Sequence, residues 1–540
     1  MAPLRTEILK HIQQAIQKTL DITVPPEFSV APSENPEHGD YATNAALALA
    51  KALKKNPMEI ANQIAAKLET GNWKAEVAPP GFINFYLKRG AIQDGLKQIL
   101  EHGERFGDLE TGKGKKARVE YVSANPTGPI HIGNARGGPI GETIARVLEK
   151  CGYRVLREYI HNDVGTQVEK MGATLMFWYR EQLGEEGEFP EGGYQGEYLR
   201  EVADAALRIE GRSLTPEELT RFGLDYIYKE NMEVARRLGI EFDLAVKESE
   251  LAASGKTGRA VEELKEKGAA KTRDGALWFA PADDFLKDRE SVIIRSTGQP
   301  TYFASDIAYH KEKFQSGYDL VIDILGSNHH GHVPKLQALT KIFGFDPAKF
   351  IVILYQYVRV KRGAEAVKMS KRAGTYVTAK EVLDEVGPDS LNFFLLTNSP
   401  SSHLDFDLEL AKEQSRENPV YYVQYAHARC ASIFKNAEGR MSEAGSSGLA
   451  PLKEEEELNL IKKLIQFPEV IEDTARDYQI QRLPRYAFDI ARAFHYFYER
   501  HRVITDDAGV TDARLSLVRA AQTILKNTLA LMAIAAPEKM

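Results

Sequence analysis

Apolar positions recur every third or fourth residue at the start of the chain, where Leu4, Ile8, Ile12, Ile16 and Leu20 are separated by Lys, Gln and Glu. That period predicts an amphipathic helix. An Ala-rich helical stretch over 41–55 and an apolar run from Phe82 to Leu87 that reads as a strand complete a small α+β block of about 100 residues. Residues 107–116, with three glycines and three lysines, read as a linker. Beyond it Arg118 to Ser123 reads as a strand and Asn134 to Leu148 as a helix, joined by a glycine-rich loop. Short apolar runs at Val292 to Ile294, Leu320 to Leu325 and Phe350 to Leu354 read as buried parallel strands. Strands alternating with helices predict an α/β, Rossmann-like parallel sheet.

Residues 165–285 interrupt this pattern with a charged, mostly helical stretch that includes an acidic, glycine-rich tongue at 184–193, and they read as an insertion. Past residue 405 the strand signals stop and helical periodicity takes over, as at Ile490, Phe494 and Phe497, so the tail reads as an all-α bundle. A Gly-, Ser- and Ala-rich loop over 439–452 lies within it. The expected organisation is a small N-terminal α+β domain over 1–110, a sheet domain over 111–404 carrying the insertion, and a helical domain over 405–540.

Composition narrows the class. A chain of 540 residues needs neither disulfides nor a structural metal to bury a core. Its two cysteines, Cys151 and Cys430, lack the paired spacing of a zinc site and point to a reducing compartment, the cytoplasm. The apolar run Leu529 to Ala536 is far short of the roughly 20 residues that span a bilayer, so no membrane role is expected. A net charge of -7 excludes nucleic-acid binding by bulk charge alone and leaves local basic patches.

Two nucleotide motifs fail. Ser254-Gly255-Lys256-Thr257 resembles the end of a phosphate-binding P-loop, but Glu250 stands where the earlier glycine belongs. Gly133, Gly137 and Gly138 lack the dinucleotide spacing. The strand-loop-helix unit instead holds Pro126-Thr127-Gly128-Pro129-Ile130-His131-Ile132-Gly133-Asn134-Ala135-Arg136. Gly133 admits a nucleotide close to the backbone, and His131 and Asn134 can donate hydrogen bonds to an anion or simply cap a turn. Downstream, Lys368-Met369-Ser370-Lys371-Arg372-Ala373-Gly374 offers two lysines three apart after the last expected strand, either a solvated turn or a cationic arm for a triphosphate.

Together these two strings resemble the HIGH and KMSKS elements of class I aminoacyl-tRNA synthetases. The strings Val119 to Gly128, Asn162-Asp163-Val164-Gly165, Tyr302 with Asp306, and Asn328-His329-His330-Gly331 resemble the arginyl-tRNA synthetases. So do His38 to Asn44, Pro80 to Phe85 and Tyr422 to Arg429, and the likeness covers essentially the whole chain. Asn134 departs from the second histidine of HIGH and Arg372 from the closing serine of KMSKS, while both lysines are kept.

The resemblance implies attack of the arginine carboxylate on the ATP α-phosphorus and transfer of the activated arginine to the terminal ribose of tRNA(Arg). It implies His131, Asn134, Lys368 and Lys371 as catalytic residues, with Gly133, Met369 and Ser370 completing the ATP contacts. Magnesium is expected on the phosphates rather than in a protein cage. A guanidinium calls for carboxylates and hydroxyls in one plane, for which Glu120, Tyr302 and Asp306 are the candidates, with Asn125 and Asn328 toward the other end of the amino acid. Tyr302 and Asp306, four apart on an expected helix, share a face and can also be an ordinary surface pair. His329, His330 and His332 lack the companion ligands of a metal site. Asn44, Tyr422, Tyr498 and Arg500 are the expected tRNA contacts, while Phe494 and Phe497 are expected in the core. A monomer is implied.

Other readings stay open on the residues alone: another amino-acid specificity, a nucleotidyltransferase without tRNA, or a non-catalytic RNA-binding relative. Two cysteines disfavour a zinc-bearing cysteine pocket, the acids Glu120 and Asp306 disfavour an acidic substrate, and the kept His131, Lys368 and Lys371 disfavour a dead enzyme.

Overall fold

The computed structural model describes residues 3–20, 27–33, 35–68, 71–210, 214–281, 290–363, 365–366, 377–437 and 448–540. The lysine-bearing string Lys368 to Gly374 therefore lies outside the described residues, as does part of the 439–452 loop.

The N-terminal block starts with α1 (Leu4–Leu20), which buries Ile8, Ile12, Ala15 and Ile16, the stripe its period predicts. It packs with α2 (Ala45–Leu53) and α3 (Pro57–Ala65), the latter entered by an Asn56 cap and a first-turn proline. They cover an antiparallel sheet of order β1-β2-β4-β3, built from β1 (Val30–Pro32), β2 (Tyr41–Thr43), β3 (Trp73–Ala78) and β4 (Phe82–Leu87). Helix α4 (Arg89–His102) leads on to the central domain.

There, β5 (Lys116–Glu120) is the centre of a five-stranded sheet of order β12-β11-β5-β6-β7, every pair parallel. After β5 come α5 (Ile132–Ala135), α6 (Gly137–Lys150) and β6 (Arg154–His161). The expected helix at 134–148 is thus two segments meeting at Arg136. Helices α7 (Thr166–Gln182), α8 (Tyr198–Glu210) and α9 (Pro216–Arg237) follow. The chain then returns to the sheet as edge strand β7 (Leu244–Lys247), inside the span expected to be one insertion. Four residues reading Leu-Ala-Val-Lys are too short to announce a strand.

Helices α10 (Glu248–Ala253) and α11 (Lys256–Glu266) precede a second, antiparallel sheet of order β10-β9-β8, from β8 (Ala270–Arg273), β9 (Ala276–Phe279) and β10 (Ser291–Ile294). The expectation that Val292 to Ile294 joins the parallel sheet is therefore wrong. A short apolar run reports burial, and both sheets bury such runs. Helix α12 (Tyr302–Gln315) then leads to β11 (Leu320–Gly326), α13 (Val333–Ile342) and β12 (Phe350–Tyr355). A small sheet of order β14-β13-β15 uses β13 (Val358–Arg362), β14 (Glu365–Ala366) and β15 (Leu404–Asp407), with α14 (Ala379–Leu396) between the last two in sequence. Strand β15 runs past residue 405, where strand structure was expected to have ended.

The tail is helical: α15 (Leu408–Lys412), α16 (Pro419–Asn436), α17 (Glu455–Ile465), α18 (Phe467–Asp477), α19 (Arg482–Arg500) and α20 (Ala508–Leu531). Phe494 and Phe497 are fully buried in it. The N-terminal block docks on this bundle. Arg5 grips Glu472 and Asp473, the Tyr41 hydroxyl donates to Glu469 at 3.0 Å, and Asp40 meets Lys462 at 2.8 Å. Among the described residues no helix is long and apolar enough to cross a membrane.

Helix α6 lies unusually close to the end of β5, because a Cβ on Gly141 would fall 2.2 Å from Cγ of the buried Tyr121. Gly141→Ala is expected to cost about 1–3 kcal/mol of stability through overpacking. Gly258→Ala, in an open stretch of α11 with no atom within 4 Å, is expected to gain about 0.5–1 kcal/mol. Calorimetric unfolding of the two variants checks the contrast, and equal behaviour would deny the close approach.

Candidate active site

In the main sheet, successive crossovers run outward from β5 in opposite directions, so a crevice opens at the carboxyl ends of β5 and β11. Glu120 ends β5, and Asn328 sits in the turn that follows β11.

Under the crevice lies a buried ionic network. Glu120 Oε2 accepts from Lys313 Nζ and, at 3.0 Å, from the Tyr309 hydroxyl, while Ser123 donates to Oε1 at 3.0 Å. Lys313 also donates to Asp323 at 2.6 Å, and Arg118 pairs with Glu158 on the neighbouring strand. His310 bonds the Asp306 backbone carbonyl through Nδ1 at 2.8 Å and Asp323 through Nε2 at 3.0 Å. Both partners accept, so both ring nitrogens carry hydrogen and the imidazole is a cation. Its pKa is accordingly raised: burial alone would lower it, and Asp323 outweighs burial. Burial likewise pushes Asp323 up, but Lys313 and His310 overcome it and hold the carboxyl well below its usual range. Three carboxylates, Glu120, Glu158 and Asp323, are matched by three cations, Lys313, Arg118 and His310.

Two further carboxylates are left over. Asp306, one turn into α12, is raised to about 6, chiefly by desolvation. Its side chain nonetheless keeps about 37% of its surface accessible, so it forms the floor of a cleft rather than part of the core. Among the described residues no Lys or Arg pairs with it. Its ion-pair neighbour is His332 at 3.8 Å, and burial pushes that imidazole down to about 4, so it is uncharged at neutral pH. Glu248, the first residue of α10, is 5% exposed and raised to about 7, by desolvation first and then by the charges of Asp306 and Asp163. Its Oε2 is buried with no hydrogen-bond partner. Asp306 on the cleft floor and the buried Glu248, with no Lys or Arg paired to either among the described residues, are acids to which a cationic ligand can supply the missing charge.

The expectation set Glu120 in the guanidinium plane. In the structure Glu120 Oε2 is bonded to Lys313 and Tyr309 and Oε1 to Ser123, and Glu248 is a further acid near Asp306 that the expectation did not include. Sequence reading passed over Glu248 because it falls in the span read as an insertion. The signal available was the Asp163 string: Asp163 accepts from the Ser249 backbone at 2.9 Å and hydroxyl at 2.6 Å and so anchors the start of α10. Tyr302, 48% exposed, lays its hydroxyl against Gly165, where a Cβ would sit 2.3 Å from it. Gly165 also has φ +96°, which only glycine adopts readily. Asn125 donates to Gln167 at 3.0 Å, and Gln167 hydrogen-bonds the Tyr302 hydroxyl through its backbone, so Asn125 and Tyr302 share one wall. Asn328 is exposed, its side-chain oxygen folded close to Gly326.

The loop holding His131, Gly133 and Asn134 lies beside this cleft. His131 caps α5, its Nδ1 accepting from the Asn134 backbone at 3.2 Å, so Nε2 carries the proton in the neutral ring. Backbone bonds from Ile132 to Val377 O (3.1 Å) and from Ala379 to Ile130 O (2.7 Å) join this loop to the start of α14. Thus Val377, the first residue described after the lysine string, is stitched to the nucleotide-loop candidate, although Lys368, Met369, Ser370 and Lys371 themselves lie outside the described residues. Arg136 is fully buried, its guanidinium donating only to backbone carbonyls, among them Ser402 O at 2.6 Å, Gln356 O and Ser399 O at 2.9 Å. Desolvation lowers its pKa to about 10, still cationic at neutral pH.

On the bundle, Tyr498 is 37% exposed under the Arg429 guanidinium, and Arg500 lies over Tyr496. Tyr422 is half-buried against Phe488 and His495. Tyr425 and Arg429, not singled out from sequence, stack with them, at helix spacings of three and four that sequence already displays. Asn44 precedes α2, its side-chain oxygen accepting from the Ser29 backbone N–H at 2.9 Å, and its neighbours Asp40 and Tyr41 serve the domain interface.

Comparison with known proteins follows the same lines. Family models match three spans: the arginyl tRNA synthetase N terminal domain over residues 6–87, the catalytic domain of tRNA synthetases class I (R) over 95–398, and the DALR anticodon binding domain over 423–540. The chain is 42% identical to an arginine–tRNA ligase of Caldanaerobacter subterraneus subsp. tengcongensis, covering 99% of this chain and 98% of that one. It is 44% identical to one from Syntrophotalea carbinolica, covering 99% and 100%. In structure it matches the Thermus thermophilus arginyl-tRNA synthetase with a TM-score of 0.79 at 23% identity, covering 99% and 100%.

The raised acids give the cleft a pH dependence. A guanidinium ligand such as arginine is charged throughout, so its affinity is expected to rise with pH through about 6 and 7 as Asp306 and Glu248 ionise, and to level off above. Glu248→Gln is expected to weaken binding by about 1.5–3 kcal/mol and to remove the step near 7. Titration calorimetry from pH 5.5 to 8.5 checks both. In the free protein the sign reverses: each pKa is raised on folding, so stability is full below the unfolded value near 4 and is lost as pH rises through the folded one. Added arginine should therefore protect more at pH 8 than at pH 5.5, and a flat profile would assign the ligand elsewhere.

Proposed function

The chain belongs to the arginyl-tRNA synthetases, a family of class I aminoacyl-tRNA synthetases, and from that membership we propose which of its residues carry the reaction. The activity is that of an arginine–tRNA ligase: ATP and arginine form arginyl-adenylate and pyrophosphate, and arginine passes to the 3'-terminal ribose of tRNA(Arg), releasing AMP. The observation supporting the substrate is the pair of uncompensated carboxylates, Asp306 and Glu248.

The guanidinium lies between these two acids, with the Tyr302 ring as one wall. Asn125, Asn328 and the Lys313-bound Glu120 line the side toward the amino acid's other end. There the carboxylate oxygen attacks the ATP α-phosphorus and pyrophosphate leaves. No covalent intermediate on the enzyme is needed, so the protein works by positioning and by stabilising charge. His131 donates through Nε2, and Asn134 donates from its amide. Gly133, Met369 and Ser370 take the nucleotide, and Lys368 and Lys371 neutralise the phosphates as charge develops there. Magnesium, when bound, would be carried on the phosphates with several of its own waters.

The tRNA is held by three blocks, 1–110, 111–404 and 405–540, through Asn44 in the first and Tyr422, Tyr498 and Arg500 in the last. The stacked Tyr425 and Arg429 beside Tyr498 support that assignment, because splayed bases stack on such surfaces. The enzyme works as a monomer in the cytoplasm, a reducing compartment that suits its two buried free thiols.

Charging of a total tRNA pool with each of the twenty amino acids in parallel tests the reading. Arginine alone is expected to be attached, and attachment of another amino acid would overturn the pocket. Lys371→Ala is expected to lower kcat about a hundredfold or more with little change in the KM for arginine, as befits a contact that strengthens in the transition state. A change in KM alone would reject that role.

A further inference from the structure

Helix α9 carries an apolar stripe, Leu224, Ile227, Val234 and Ala235, interrupted by one polar residue at a core position, Asn231. Asn231 is 1% exposed, and its amide is spent on the loop ahead of His131: Oδ1 accepts from Ile130 N at 3.0 Å, and Nδ2 donates to Gly128 O at 3.2 Å. The Tyr198 hydroxyl, at the start of α8, donates to Thr127 O at 2.6 Å. Helices of the insertion thus hold three backbone groups of a loop that has no regular structure of its own.

The same helix also holds the other side of the site. Glu230 pairs with Lys380 at 3.0 Å and Arg237 with Asp384 at 2.6 Å, both on α14, whose first turn is bonded to Ile130 and Ile132. Beneath, Ile130, Ala135, Val234, Leu238 and Ile240 close an apolar seam between α9 and the loop. One helix therefore grips both the loop and the start of α14, the element the chain enters directly after Lys368 to Gly374. A buried amide that satisfies two backbone groups is costly to replace by an apolar side chain, since both backbone groups then lose their partner.

We infer that Asn231 is a positioning residue for adenylate formation: from the helical insertion it sets the loop Thr127 to Asn134 against the start of α14 without touching either substrate. This rests on the nucleotide reading of that loop given above. Tyr198 supports the loop in the same way from α8.

The test compares Asn231→Leu, which removes both hydrogen bonds, with Asn231→Asp, which keeps the acceptor toward Ile130 and loses the donor toward Gly128, and with Tyr198→Phe. Arginine-dependent exchange of pyrophosphate into ATP, run with tRNA present, gives kcat and both KM values. Calorimetry gives arginine affinity, and thermal unfolding gives the folded fraction. Because small misplacements of reacting groups are expensive, Asn231→Leu should lower kcat per folded molecule about ten- to a hundredfold, with Asn231→Asp intermediate and Tyr198→Phe milder. Arginine affinity should stay within about twofold, since Asp306 and Glu248 are untouched. Unchanged kcat per folded molecule in all three variants, whatever the melting temperature, would overturn the positioning role, as would parallel losses in arginine affinity. If Asn231→Leu does not fold, the other two decide. Absence of exchange in the unaltered protein would instead overturn the nucleotide reading, and the inference with it.

Discussion

The buried ammonium of Lys313 is the constraint around which this site is organised. It stands between Glu120 at the end of β5 and Asp323 on β11, fully enclosed, and so joins α12 to the two strands that border the crevice. An ion that deep is tolerable only when fully paired. The pairing extends through His310 to the backbone of Asp306, and through Arg118 to Glu158 on β6. Removing one member would leave a buried charge without its partner, so the network acts as a single rigid floor. Its balance decides which acids remain unmatched.

That partition is what gives the site its chemistry. Five acidic residues approach the crevice or its floor, and a count of charges from sequence treats them alike. The structure separates them. Glu120, Glu158 and Asp323 are neutralised from within, whereas Asp306 and Glu248 hold raised pKa values because desolvation outweighs the relief that His310 and Lys313 give Asp306 and that Ser305 gives Glu248. A ligand that brings a fixed positive charge recovers that penalty on binding, and a planar one can meet both acids at once. The neighbouring loop is braced by Asn231 and stitched to the start of α14, and on the proposed reading it takes the nucleotide.

Much of this was legible in sequence where chemistry is local. The stripe of α1, the strand-loop-helix unit around His131, the helix bearing Tyr302 and Asp306, and the burial of Phe494 and Phe497 follow from spacing alone. What escaped is non-local. Strand β7 is only four residues long and mostly exposed, so only its partner β6 reveals it, and with it the placement of Glu248. The run Val292 to Ile294 reported burial but not which sheet buries it. The pairing of Glu120 with Lys313, 193 residues downstream, carries no mark in sequence. The string His38 to Asn44 resembles its family counterpart, yet Asp40 and Tyr41 there hold two domains together.

On the proposed reading, a fixed positive charge on the ligand relieves Asp306 and Glu248. The most direct test is calorimetric binding of arginine against citrulline, which has the same shape but a neutral ureido group. Citrulline is expected to bind at least about a hundredfold more weakly, because it leaves Asp306 and the buried Glu248 unpaired. Affinities within a few-fold of each other would show that shape rather than charge selects the ligand, and would contradict the account.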